Sequence, residues 1–114
     1  MQLAAQDYGE AVLIKVDEAR IDAAVAVKFK DRVRELAGDT PARVVLDIEK
    51  VEFLDSSGLG AVVAAMKQLG TGRKLELAGL TPTVQKVFHL TRMDTVFTIH
   101  KDADAALAGL AHVA

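Results

Sequence analysis

The spacing of apolar residues along the chain switches repeatedly between two periods. Residues 2–7 and Ala11–Val16 (AVLIKV) read as short strands, and the turn Tyr8-Gly9-Glu10 between them makes the pair antiparallel neighbours. After Ala19-Arg20-Ile21-Asp22 the period becomes helical. Val25, Phe29, Val33 and Leu36 fall on one face, and Lys28, Arg32 and Glu35 on the other. Asp22 is the N-cap this pattern predicts, and Ala37-Gly38-Asp39-Thr40-Pro41 ends the helix by glycine followed by proline. Residues 43–48 form a buried strand, from which a short charged connection leads to Asp55-Ser56-Ser57-Gly58-Leu59-Gly60 and an apolar helix. Gly70-Thr71-Gly72 turns the chain into a strand over Lys74–Ala78. Thr81 then caps a helix that has Pro82 at its first position and runs to about Leu90. A last strand covers residues 95–99, and Asp102 or Asp104 starts a C-terminal helix that packs Ala105, Leu107, Leu110 and Ala111 on the core. Strands alternating with helices predict a single α/β domain over residues 1–114. Its sheet has four to five strands, mixed but mostly parallel, with about four helices.

The chemistry concentrates where the central strand meets the apolar helix. Asp55, Ser56 and Ser57 are residue types that cap a helix, because their side-chain oxygens accept from the orphan N–H groups of the first turn. Gly58 and Gly60 follow, each costing a helix roughly 0.5–1 kcal/mol relative to alanine, so they serve something other than helix formation. Leu59, Val62, Val63, Met66 and Leu69 make the predicted buried stripe. Ser57, Gly60, Ala61, Ala64 and Gln68 lie opposite, a low-relief face suited to close approach by another protein. A seryl hydroxyl at a helix start is also well placed for phosphorylation, since the macrodipole and free N–H groups favour a dianion.

Phe53-Leu54-Asp55-Ser56-Ser57-Gly58-Leu59-Gly60 resembles the phosphorylation loop of bacterial anti-sigma factor antagonists, which are single STAS domains. The resemblance extends to Val44–Asp47, to Leu77-Ala78-Gly79-Leu80-Thr81-Pro82-Thr83-Val84, and to Val87-Phe88-His89-Leu90-Thr91 with the segments after it. It implies a partner-switching protein without catalysis of its own and without a cofactor. The unmodified form binds an anti-sigma factor that is also a serine kinase and so frees the sigma factor. Phosphorylation of the serine after the aspartate, here Ser56, abolishes binding, and a PP2C-type phosphatase restores it. The implied docking residues are Asp22, Asp55, Ser56, Ser57, Gly58, Gly60, Ala61 and Ala64, on a chain that is a monomer when free and works in the cytoplasm. Two positions depart from the family pattern. Ala19-Arg20-Ile21-Asp22 replaces Gly-x-Leu-Asp, and Thr91-Arg92-Met93 replaces Thr-Gly-Leu.

Composition narrows the alternatives. Hydrophobic residues at 51% and charged residues at 26% describe a globular chain, and a net charge of −2 offers nucleic acid or an acidic membrane no attraction. Without cysteine there is neither a disulfide framework nor a thiolate metal site. Residues 1–10 show no basic region followed by an apolar run, so no signal peptide is expected, and no apolar stretch approaches the roughly 18 residues of a membrane span. His89, His100 and His112 lack ligand spacing, so no metal site is expected. Gly70-Thr71-Gly72-Arg73-Lys74 lies after a helix and before a strand, the reverse of a phosphate-binding loop. No Gly-x-Ser-x-Gly elbow is present for a hydrolase, and Lys28, Lys30, Arg32 and Arg34, interrupted by acids, read as a solvated face. Two rival readings are a STAS scaffold or accessory subunit, for example of lipid transport, and a phospho-receiver domain. The receiver would use Asp55 or Asp47 as acceptor and Asp17 with Glu18 to hold Mg²⁺. Acid stability separates the last from a phosphoserine protein.

Overall fold

Strand alternation decides the layers in the computed structural model, which describes residues 1–39 and 41–113; Thr40, in the expected helix stop, and Ala114 lie outside the described residues. In β2 (Ala11–Val16), Val12, Ile14 and Val16 turn to one face of the sheet while Ala11 and Leu13 turn to the other. β4 (Arg43–Asp47) divides the same way, Val44 and Leu46 against Val45, as does β6 (Lys74–Ala78), Leu75 and Leu77 against Ala78. Burial on both faces is why these strands read as near-continuous apolar runs. β1 (Leu3–Asp7) pairs antiparallel with β2, and β7 (Thr98–His100) pairs with β6 at the far edge. The order is β1-β2-β4-β6-β7, parallel except for the first pair. The mixed, mostly parallel sheet predicted from the sequence is therefore present.

Three helices cover one face. α1 (Ala26–Ala37) contributes Phe29, Val33 and Ala37, α2 (Ser56–Leu69) contributes Ala61, Val62, Ala65 and Leu69, and α3 (Pro82–Leu90) contributes Val84 and Phe88. The short α4 (Ala103–Ala106) closes the other face, where Ala106 and Leu107 meet Ala11, Leu13, Val45 and Ala78. This four-residue helix and the segment after it bury Ala106 and Leu107 and half-bury Leu110, leaving Ala105 and Ala111 exposed. Thr81 caps α3 as predicted, accepting from the Val84 N–H at 3.4 Å, and its hydroxyl also donates to the Val51 carbonyl at 2.9 Å. Arg73 spans the C-terminus of α1, donating to the carbonyls of Ala37, Gly38 and Pro41 at 3.2, 2.9 and 2.9 Å. That satisfies acceptors a helix end otherwise leaves open.

Several elements differ from the sequence expectation. Asp22 does not cap α1. Its carboxylate accepts from the Ala24 N–H at 3.1 Å and its carbonyl from Val25 at 3.1 Å, which makes a turn, and the helix becomes regular only at Ala26. The residues before it form β3 (Arg20–Ile21), which pairs in parallel with β5 (Phe53–Leu54) in a separate two-stranded sheet. Two residues are too few to show a period, so neither strand is visible in the apolar pattern. A turn of 3₁₀ helix at Met93–Thr95 delays the last strand to Thr98. It follows Arg92, whose φ of 61° makes it, among the described residues, the one non-glycine in the left-handed region. Glycine tolerates that conformation freely, which accounts physically for the glycine of the family pattern.

A charged cluster interrupts the second sheet face at Glu76. Glu76, 4% exposed, accepts from Arg43 Nε at 2.6 Å and Nη2 at 2.8 Å, and its Oε1 lies 2.6 Å from His100 Nε2. Arg43 Nη2 also donates to the Ala106 carbonyl at 2.7 Å, tying α4 to three neighbouring strands. The Arg43 hydrogen bonds pull the Glu76 carboxyl below its ordinary pKa; burial opposes them, and His100 adds to the lowering. A depressed carboxyl pKa stabilises the fold above the unfolded value, and that stability disappears as pH falls through the folded value. The urea midpoint should accordingly drop as pH passes below about 4.3, the ordinary glutamate value. Glu76→Gln should cost about 3 kcal/mol at pH 7 by leaving Arg43 uncompensated. The gap between the two proteins should narrow in acid, and parallel pH profiles would count against this account.

Candidate phosphoacceptor site and docking face

The site begins at the C-terminal end of β4, where β5 leads into α2. Asp55 is the N-cap of α2, and its Oδ1 accepts from the Gly58 N–H at 2.8 Å while its carbonyl accepts from Leu59 at 2.9 Å. Ser56 and Ser57 follow as the first helical residues, both exposed, and their backbone N–H groups have no acceptor among the described residues. A hydroxyl that accepts a phosphate here would carry it beside two free N–H donors at the positive end of a 14-residue helix.

Gly58 has a steric reason. It is buried under β3, and a Cβ at this position would overlap the Ile21 carbonyl oxygen and stand 2.9 Å from its carbon. Only a residue without a side chain lets β3 lie on the first turn of α2. The Ala19 carbonyl completes the arrangement by accepting from the N–H groups of Glu52 at 2.8 Å and Phe53 at 3.1 Å. Gly60, by contrast, has nothing within 4 Å of where its Cβ would be, and it lies on the open side of the helix.

The two faces of α2 are rotated from the expected ones. Gly58, Ala61, Val62, Ala65 and Leu69 are buried, whereas Leu59, Val63 and Met66 are only half-buried against the core. At 100° per residue the inward direction lies roughly 80° from the predicted stripe. Small residues occupy the tightest contact and let the helix sit close, and the larger apolar ones fill the flanks. Ala61, 6% exposed, and Gly58 therefore do not belong to the outward surface as expected. That surface consists of Ser56, Ser57, Gly60 and Gln68 with Lys67, and Ala64 is half-exposed within it. Asp22, directly after β3, is half-buried, with Arg20 Nε 3.4 Å from its carboxylate.

Of the other sequence candidates, Asp17 and Asp47 line one small hollow with Lys15, Glu49 and Lys50. Asp47 is buried at the end of β4 and accepts from the Glu49 N–H at 3.2 Å. Asp17 pairs with Lys50 at 3.5 Å and Glu18 accepts from the Gln2 N–H at 2.8 Å, so the acids of a receiver site face separate partners. His89 lies 2.9 Å from Asp94, His100 joins Glu76, and His112 stacks beside Tyr8 with ring centroids 5.4 Å apart. On α1, Lys28, Arg32 and Arg34 are exposed, and Arg32 pairs with Glu35 at 3.1 Å. Among the described residues no helix is long and apolar enough to cross a membrane.

Comparison with known proteins agrees with this geometry. The STAS domain family matches residues 2–106. The chain belongs to that family. Within it, the anti-sigma-F factor antagonist RsfB of Mycobacterium tuberculosis is 28% identical over 90 residues, covering 79% of this chain and 74% of RsfB. The crystal structure of an anti-sigma factor antagonist from Mycobacterium paratuberculosis superposes with a TM-score of 0.83 at 26% identity, covering 96% of this chain and 92% of that one. The unphosphorylated form of the anti-sigma factor antagonist SpoIIAA shares the STAS fold at a TM-score of 0.69 and 21% identity, with 92% of each chain covered.

Two pairs of substitutions test the orientation of α2 in this STAS domain. Gly58→Ala should destabilise it by at least about 2 kcal/mol through overpacking, whereas Gly60→Ala should raise stability by up to about 1 kcal/mol. Ala61→Arg should cost more than about 3 kcal/mol, and Ala64→Glu should stay within about 0.5 kcal/mol. Urea unfolding of the four variants reads all signs at once. Equal effects within either pair would mean that the inward face has been misplaced.

Proposed function

We propose that this STAS domain is an anti-sigma factor antagonist controlled by phosphorylation of Ser56. In its unmodified form it binds an anti-sigma factor that is also a serine kinase, and the sigma factor is released. The kinase spends ATP to modify Ser56, the complex dissociates, and a PP2C-type phosphatase returns the chain to its binding form. The observation that carries this reading is the exposed Ser56 at the start of α2, between the Asp55 cap and the low-relief surface of Ser57, Gly60 and Ala64. Similarity to RsfB supports the same role.

The electrostatics favour a local switch. A phosphoserine brings about −1.5 to −2 charges at pH 7. The helix terminus stabilises them by roughly 0.3–2 kcal/mol, and Asp55 opposes them by about 3 kcal/mol if unit charges lie about 5 Å apart at an effective dielectric near 20. Water and salt shrink the repulsion in the free domain, so the terms nearly cancel and the fold persists. A partner that covers the loop removes the water, and an unpaired dianion then costs several kcal/mol.

Incubation with the kinase and ATP, followed by mass spectrometry, should place phosphate on Ser56; modification mainly of Ser57 or of a carboxylate would overturn the assignment. By calorimetry the phosphorylated chain should bind at least about a hundredfold more weakly, close to 3 kcal/mol, and melt within a few degrees of the unmodified one. Ser56→Ala should bind and escape the switch, and Ser56→Asp should bind poorly.

A further inference from the structure

One exposed group beside Ser56 has no part in the switch itself. Phe53 is 38% exposed although β5 is otherwise inward-facing, and the Arg20 guanidinium lies over its ring with Cζ 4.4 Å from the centroid. The two residues are directly paired in the β3–β5 sheet. The stack thus rests on backbone hydrogen bonds, and the buried contact of Gly58 with Ile21 fixes that backbone against α2. Arg20 keeps 62% of its side chain exposed. Its Nε makes a long 3.4 Å contact with Asp22, and its two terminal amino groups have no acceptor among the described residues. A guanidinium held over an aromatic ring with its outer donors free is a preorganised fork for a carboxylate.

We infer that the Arg20–Phe53 stack is the specificity-determining anchor of the docking face, and that it takes a partner carboxylate at the rim of an apolar pocket that receives the Phe53 ring. Arginine and aromatic side chains with little conformational freedom are the residue types that dominate binding energy in protein interfaces. The adjoining face of Ser57, Gly60 and Ala64 offers shape but few strong contacts, so discrimination between partners falls to the stack. Free donors on Arg20 favour an acidic residue over a neutral one. The inference rests on the reading of this chain as an antagonist, and it adds the partner chemistry that reading leaves open.

The test uses the full chain and a purified kinase-type anti-sigma factor from its native cell. Titration calorimetry is run with wild type, Arg20→Gln, Arg20→Lys, Phe53→Ala and, as a distant control, Leu90→Ser, whose side chain is exposed on α3. Arg20→Gln and Phe53→Ala should each weaken binding at least tenfold with unchanged melting temperature, and the double variant should lose less than the product of the two, because the pair acts as a unit. Arg20→Lys should recover only part of the loss, Arg20→Gln should reduce the salt dependence of binding, and Leu90→Ser should bind within twofold of wild type. If wild type fails to bind the kinase, the antagonist reading fails and takes this inference with it. If wild type binds and phosphorylation of Ser56 releases it while both single variants bind within twofold, the antagonist reading stands and the anchor is refuted. Normal binding by Arg20→Gln combined with a shifted phosphoserine titration in ³¹P NMR would also refute the anchor, because the fork then serves the phosphate.

Discussion

The contact between Gly58 and the Ile21 carbonyl governs the surface around Ser56. It admits no Cβ, so β3 seats directly on the first turn of α2. The position of Ser56 relative to Arg20, Asp22 and Phe53 then follows from backbone packing and not from loop conformation. Under the proposed function, residues that one partner covers together are held together before it arrives, which lowers the ordering cost of association. The Asp55 cap works in the same direction, since its carboxylate and carbonyl hold the Gly58 and Leu59 N–H groups and leave those of Ser56 and Ser57 outermost.

How much of this could be read in the sequence depended on the length over which a pattern repeats. β2 and β6 were legible to the residue because five or six consecutive positions carry the signal, and α3 was legible from Thr81 and Pro82. β3 and β5 were not, because two residues have no period and their existence depends on each other across a long stretch of chain. The start of α1 was misjudged for a related reason. Asp22 has the chemistry of a cap, but with Ile21 committed to β3 it closes a turn four residues before the helix becomes regular.

The site itself was half legible. The cap, the two serines and the unusual glycines stood out, and the reason for Gly58 did not, because the atom it accommodates belongs to Ile21, 37 positions earlier in the chain. The rotation of α2 was hidden for the opposite reason: periodicity finds an apolar stripe, but Gly58, Ala61 and Ala65 win the interior by being small, and hydropathy alone does not rank residues by how closely they let a backbone approach. The Arg43–Glu76–His100 cluster was invisible because its members come from three strands that only the sheet order makes neighbours.

The C-terminal segment has a practical meaning. α4 lies on the face of the sheet away from α2, and beyond it the Val113 N–H donates to the Asp7 carbonyl at 2.7 Å, beside the β1–β2 turn. Val113 therefore lies at the end of the parallel strands opposite to Ser56 and on the opposite side of the sheet. A fluorescent group attached to the exposed Val113 would sit away from Ser56, and the labelled protein could report on association without obstructing it.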